Sequence, residues 1–175
     1  MILVLNGSPR KNGNVSNRLK KELEKELEKY PNETVVWENV CDLQFSFCKG
    51  CMACRSKEAC VLPNDDAHKI AGEIKVCDML FVGTPVYWGN MNGKLKSLFD
   101  RLVGVLMAES KRGIPIPLHK GKKAVVVTSC TTPFPFNYLC GQSSGAFRAV
   151  REILKSSGFK IVRKIHISNT KRRSK

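Results

Sequence analysis

With 175 residues, 42% of them hydrophobic, the chain is long enough for one domain with a proper core and too short for two comfortable ones. Its 30 Lys and Arg against 15 Asp and Glu leave a net charge of +15, which suits a solvated basic surface or an attraction to anions such as a phosphorylated cofactor, an acidic protein or nucleic acid. No stretch approaches the roughly 18 unbroken apolar residues of a membrane helix, and the run Met1 to Leu5 is too short for a signal-peptide core and has no basic leader. A cytoplasmic protein with no membrane partner is therefore expected.

The elements alternate along the chain. Ile2-Leu3-Val4-Leu5, ending in Asn6-Gly7, suits a buried parallel strand. Val15, Leu19, Leu23 and Leu27 at four-residue spacing make an amphipathic helix. Val35-Val36-Trp37 gives a second strand, followed by an irregular cysteine-rich stretch, residues 41–62. Asn64-Asp65-Asp66 can cap a helix running to about Val76, with Ile70 and Ile74 facing inward. Leu80-Phe81-Val82 is a third strand, and Leu95, Leu98, Phe99, Leu102, Val105 and Leu106 line the next helix. A Pro-rich loop, 113–118, breaks the pattern before the fourth strand, Ala124 to Val127. Phe147, Val150, Ile153 and Leu154 mark a helix closed by Gly158, and 159–167 is the last strand.

Five strands joined by four helices imply an α/β protein, a parallel sheet covered on both faces as a three-layer sandwich. Right-handed crossovers favour the flavodoxin-like strand order 2-1-3-4-5. A single domain over 1–175 is expected, with the cysteine-rich segment as an insertion after strand two. Lys171-Arg172-Arg173-Ser174-Lys175 reads as a solvated tail.

In such a sheet the ligand sits beyond the carboxyl ends of the strands, at the switch in strand order. The loop after strand one has the chemistry of a phosphate cradle: glycines for close approach, a helix N-terminus with unpaired amides, neutral donors on Ser8, Asn14 and Ser16, and a charge on Arg10. Asn12 and Val15 complete the candidate set. Gly7 and Gly13 have the wrong spacing for a nucleotide P-loop or a dinucleotide fingerprint, so a single terminal phosphate fits better. The loop after strand three, with Pro85, Val86, Tyr87, Trp88, Gly89 and Asn90, offers aromatic surface for a planar ring, or for packing in the core or at a subunit interface. The loop after strand four, 129–141, carries Cys130, Thr131, Thr132 and several aromatics and could close over either.

Asn6-Gly7-Ser8-Pro9-Arg10 with Gly13-Asn14 resembles the phosphate loop of the NADPH-dependent FMN reductase and iron–sulfur flavoprotein superfamily. Gly83-Thr84-Pro85-Val86-Tyr87-Trp88-Gly89, continuing to Lys94-Leu95-Lys96 and Phe99-Asp100-Arg101, resembles its isoalloxazine loop and following helix. The resemblance covers nearly the whole chain. It implies FMN held by its phosphate on the first loop and by its ring on the second, in a homodimer or homotetramer with the flavin near a subunit interface.

Cys48, Cys51, Cys54 and Cys60 follow the spacing C-x2-C-x2-C-x5-C. In a reducing compartment such thiols are metal ligands or catalytic groups more often than disulfides. Three within seven residues can wrap one face of a cuboidal cluster and a fourth can close it; zinc and free, redox-active thiols are the alternatives. The pattern resembles the compact motif of iron–sulfur flavoproteins, which hold a 4Fe–4S cluster. Cys41, Cys77, Cys130 and Cys140 fit no ligand spacing and are expected to pack as small apolar residues, Cys130 being the one worth testing. His68, His119 and His166 receive no role, and Asp65-Asp66 is a helix cap.

The expected function is FMN-dependent oxidoreduction or electron transfer, between FMN and a 4Fe–4S cluster or an external ferredoxin-like carrier. The alternative is an NAD(P)H-dependent FMN or quinone reductase without a cluster. A nucleic-acid partner is not expected, since the basic residues are dispersed and no recognised motif accompanies them.

Overall fold

Alternate residues of a strand face opposite sides of a sheet, and here both sides are apolar, which is what a sheet sandwiched between helices requires. In the computed structural model, which describes residues 1–57 and 59–173, the elements run β1 (Ile2–Asn6), α1 (Asn14–Leu27), β2 (Val35–Asn39), α2 (Cys54–Lys57), α3 (Asp66–Val76) and β3 (Met79–Pro85). They continue with α4 (Gly93–Arg101), α5 (Val103–Leu106), β4 (Met107–Glu109), β5 (Pro115–Pro117), β6 (Lys123–Ser129), α6 (Phe136–Leu139), α7 (Gln142–Ser157) and β7 (Lys160–Ile167). The five long strands are parallel in the order β2-β1-β3-β6-β7, which is the expected 2-1-3-4-5 once the short β4–β5 pair is set aside.

Leu3, Leu5, Leu80, Val82, Ala124 and Val126 bury one face of the sheet against Ile70 and Ile74 of α3, Leu95 and Leu98 of α4, and Val150 and Leu154 of α7. Ile2, Val4, Phe81, Val125 and Val127 bury the other against Val15, Leu19 and Leu23 of α1. The four-residue spacing read from the sequence is thus the stripe by which α1 docks.

Three expectations change. The helix expected to span Leu95 to Leu106 divides at Leu102, whose backbone (φ −93°, ψ 0°) leaves helical geometry. The Pro-rich loop is one strand of an antiparallel arm, β5 pairing with β4 with Ile116 opposite Ala108; prolines are tolerated there because neither strand continues into a larger sheet. The tail is partly ordered: Thr170–Arg173 form a single 3-10 turn, and Thr170 bonds back to the Cys130 carbonyl through its amide and its hydroxyl. Ser174 and Lys175 of that tail lie outside the described residues, as does Glu58. Among the described residues no helix is long and apolar enough to cross a membrane.

Candidate functional site

The loops after β1, β3 and β6 meet at the carboxyl ends of the strands. Gly7 and Gly83 let them do so: the Gly7 amide bonds the Gly83 carbonyl at 2.7 Å, and a Cβ on Gly7 would lie 2.9 Å from that same oxygen. A Cβ on Gly83 would fall 2.4 Å from Leu19, so α1 seats directly on the strand end. Between the loops is an open cleft of about 170 Å³. Pockets that enclose a drug-sized ligand start near about 300 Å³, so this one suits a phosphate-bearing tail and leaves any bulkier part at its mouth.

Of the twelve candidate cofactor residues, Ser8, Arg10, Asn14, Val15, Pro85, Val86 and Tyr87 line the cleft. Asn12 is exposed, with its carbonyl engaged by Asn17. Ser16 is fully buried; its hydroxyl donates to the Arg10 carbonyl at 2.8 Å and accepts from Asn6 at 2.9 Å. It shapes the loop instead of facing the cleft. Trp88, Gly89 and Asn90 form the far side of a turn in which Tyr87 and Asn90 exchange two backbone hydrogen bonds at 2.9 Å. Trp88 and Gly89 both have positive φ, 51° and 72°, as a two-residue hairpin turn demands. Trp88 pays about 1–2 kcal/mol for that geometry, and its indole stands wholly in solvent.

Sequence reasoning left out Thr170 and gave the loop carrying Ser129, Cys130 and Thr131 only a weak signal; all four line the cleft. Thr170 carried no signal, because its place depends on the 3-10 turn folding back onto Cys130. Among the described residues none of the lining side chains is acidic, and Arg10 brings a positive charge. The N-cap of α1 is Gly13, which has no side chain to satisfy the first amides, and the first turn has no acidic residue. The positive end of a 14-residue helix therefore opens on the cleft with donors to spare.

Behind Cys130 lies a polar cluster. His166 Nε2 is 2.7 Å from the Ser143 hydroxyl and 3.5 Å from Cys130 Sγ, and Nδ1 is 2.8 Å from the Thr128 hydroxyl. Asn137 donates to Ser143 at 2.6 Å. Burial holds the His166 imidazole below its usual pKa, with Lys164 adding to the shift, and burial pushes the Cys130 thiol up. The group is thus a chain of neutral hydrogen bonds. Cys77 and Cys130 are buried as expected of apolar cysteines, whereas Cys140 is exposed.

The cysteine-rich segment packs over α4 and α5. Cys48 and Cys51 are exposed, Cys54 and Cys60 half-buried. Left-handed backbone at Gly50 (φ 67°) and Met52 (φ 57°) supplies tight turns between the thiols, and the Gly50 amide donates to Cys48 Sγ at 3.4 Å. A Cβ on Gly104 would lie 2.6 Å from the Cys54 carbonyl, so the glycine lets α2 rest on α5. Burial pushes the Cys54 thiol up, and Cys60 and Cys48 push it the same way, which places these three in one electrostatic neighbourhood. Four thiols on one loop are the right donors for an iron–sulfur cluster. Among the described residues they are not gathered into a closed set of three or more metal ligands.

Asp65 does more than cap. Its carboxylate accepts from the Ala67 amide at 3.1 Å, completes a capping box with His68, and takes two bonds from Arg101. Burial pushes its pKa up, but the Arg101, Ser46 and His68 hydrogen bonds outweigh that and hold it below the usual value.

The flavodoxin-like fold family matches the chain over residues 1–175. An iron–sulfur flavoprotein of Methanosarcina thermophila is 37% identical over 103 residues, covering 58% of this chain and 52% of that protein. Another, of Clostridioides difficile, is 29% identical over 150 residues, 82% of this chain and 66% of that one. The chain thus spans half to two thirds of the length of these relatives. An FMN-dependent NADH-azoreductase of Bacillus anthracis, solved in complex with FMN, superposes with a TM-score of 0.72 at 13% identity, covering 97% of this chain and 87% of its own.

Proposed function

The chain belongs to the flavodoxin-like fold family, and on that premise we propose that it is an FMN-dependent oxidoreductase of the iron–sulfur flavoprotein type. FMN, when bound, supplies redox chemistry in one- or two-electron steps. The chain supplies binding and orientation. The amides at the start of α1, with Ser8, Asn14 and Arg10, hold the phosphate. Pro85, Val86 and Tyr87 offer a wall for the ring at the cleft mouth. The neutral thiol of Cys130, backed by His166, keeps a proton beside that wall. Cys48, Cys51, Cys54 and Cys60 would hold a 4Fe–4S cluster, which handles electrons singly.

One observation carries the reading: the uncapped positive end of α1 opens into a cleft whose described lining has no acid. Names of relatives lend weight, the Methanosarcina and Clostridioides proteins being iron–sulfur flavoproteins and the azoreductase a complex with FMN. The test is a titration of flavin-free protein with FMN, followed by flavin absorbance and fluorescence. One FMN per chain is expected; a protein that stays colourless after excess FMN and desalting overturns the proposal.

The electron donor is NAD(P)H or a ferredoxin-like protein in the cytoplasm; the charge of +15 would speed encounter with an acidic carrier. Exposed Trp88, Phe134, Phe136 and Leu139 favour a homodimer or homotetramer. A second reading, an NAD(P)H-dependent FMN or quinone reductase without a cluster, is supported by the cysteines, which among the described residues are not gathered into a set of three or more ligands. Iron and sulfide analysis after anaerobic purification separates the two: flavin without iron selects the second.

A further inference from the structure

The side chain of Arg101, at the end of α4, is 0% exposed. A buried arginine persists only where its charge and donors are matched. Here Nη1 and Nη2 bond the two oxygens of Asp65 at 2.8 and 3.0 Å, and Nη1 also reaches the Ser46 carbonyl at 2.7 Å. Nε donates to Cys60 Sγ at 3.1 Å. Ser46 precedes Cys48 and Asp65 follows Cys60, so a single guanidinium ties both ends of the cysteine segment to the helix beneath it.

Capping does not require this. Asp65 caps α3 through the Ala67 amide and its capping box with His68, neither of which involves Arg101, and a neutral thiol gains little from a guanidinium donor. A thiolate bound to iron gains a charge-assisted bond. The Cys60 backbone is fixed as well, its carbonyl accepting from His68 Nε2 at 3.0 Å. Beside Cys60 is a cavity of about 210 Å³ that it lines together with Ala67, His68, Ala71, Gly72 and Arg101, so the anchored thiol has free volume next to it. Cys54 is anchored too, by its fit against Gly104, while Cys48 and Cys51 are exposed.

We propose that Arg101 is a positioning residue for the metal centre: it presets Cys60 as a ligand in a fixed half-site with Cys54, over which Cys48 and Cys51 close, and its hydrogen bond to the ligand sulfur raises the cluster potential. Hydrogen bonds to cluster sulfurs are one of the protein's main controls on that potential. The proposal rests on the reading that these four cysteines hold an iron–sulfur cluster.

The test compares wild type, Arg101→Gln and Arg101→Lys after anaerobic treatment with ferrous iron and sulfide. Iron per chain, FMN per chain and the midpoint potential by spectroscopic titration are measured. Arg101→Gln is expected to keep FMN, to take up less than half the wild-type iron, and to give a more negative potential in whatever cluster forms. Arg101→Lys, which keeps the charge but loses the forked geometry, should recover most of the iron with an intermediate potential. If Arg101→Gln fails to fold, as loss of FMN binding would reveal, the lysine variant decides through its potential. Wild-type iron content and wild-type potential in the variants overturn the proposal while leaving the cluster reading intact. A wild-type chain that takes up no iron overturns both.

Discussion

Ser8 is 6% exposed, its hydroxyl lies 3.2 Å from the Arg10 amide, and it lines the cleft at the positive end of α1. A carboxylate at this position would occupy the donors meant for a phosphate and repel it. Ser8→Asp should therefore weaken FMN binding by about tenfold or more, read from fluorescence titration, with little change in melting temperature, because the helix end welcomes any anion. The residues of this loop were legible because their chemistry is local: short polar side chains beside a helix start. Ser16 has the same chemistry, yet Asn6 and the Arg10 carbonyl take its hydroxyl inward. Residue type alone could not separate a side chain that binds from one that shapes. Trp88 is the aromatic counterpart, since the turn that places Tyr87 on the cleft throws its neighbour outward.

At the level of elements, α7 and the β3 loop touch where neither has a side chain. A Cβ on Gly145 would sit 2.0 Å from the Gly89 carbonyl, so the turn bearing Tyr87 rests directly on the helix. Gly145→Ala must push the turn or the helix aside, at about 1–3 kcal/mol. We expect a lower melting temperature together with weaker FMN binding, whereas an alanine at Gly72, where nothing stands within 4 Å of the added carbon, should leave FMN binding unchanged. Helix existence was legible from apolar spacing. The division at Leu102 was not, because the apolar stripe runs on through Val105 and Leu106, both buried. Just past the division the cysteine segment packs on Gly104, whose added Cβ would lie 2.6 Å from the Cys54 carbonyl, a contact that apolar spacing does not encode.

For the whole molecule, two histidines make stability respond to mild acid. His119 is buried, stacks on Phe159 at 4.9 Å and donates from Nε2 to the Val105 carbonyl at 2.8 Å. Its Nδ1 is buried without a partner, so a proton there would be stranded. Burial lowers its pKa from the ordinary 6.5 despite the opposing pull of that carbonyl, and burial with Lys164 does the same for His166. Both bind a proton less readily folded than unfolded, so unfolding in mild acid absorbs protons. Their contribution is complete above pH 6.5 and is lost as pH falls below 6.5 through their lowered folded values. Melting temperature should decline over that window, and His166→Asn should flatten part of the decline. The sheet order was legible because each strand is a short apolar run and right-handed crossovers leave few ways to connect five of them. The antiparallel arm escaped, since its prolines read as a break and its pairing is set by the partner strand.

The wholly solvated indole gives the protein an intrinsic optical reporter. Its tryptophans are Trp37 and Trp88, and Trp37 is half-buried with its ring nitrogen bonded to Asn39 at 3.1 Å. Red-edge emission therefore belongs chiefly to Trp88, and anything that shields or quenches it, a docked subunit or a yellow chromophore at the adjacent mouth, announces itself in a cuvette without a label.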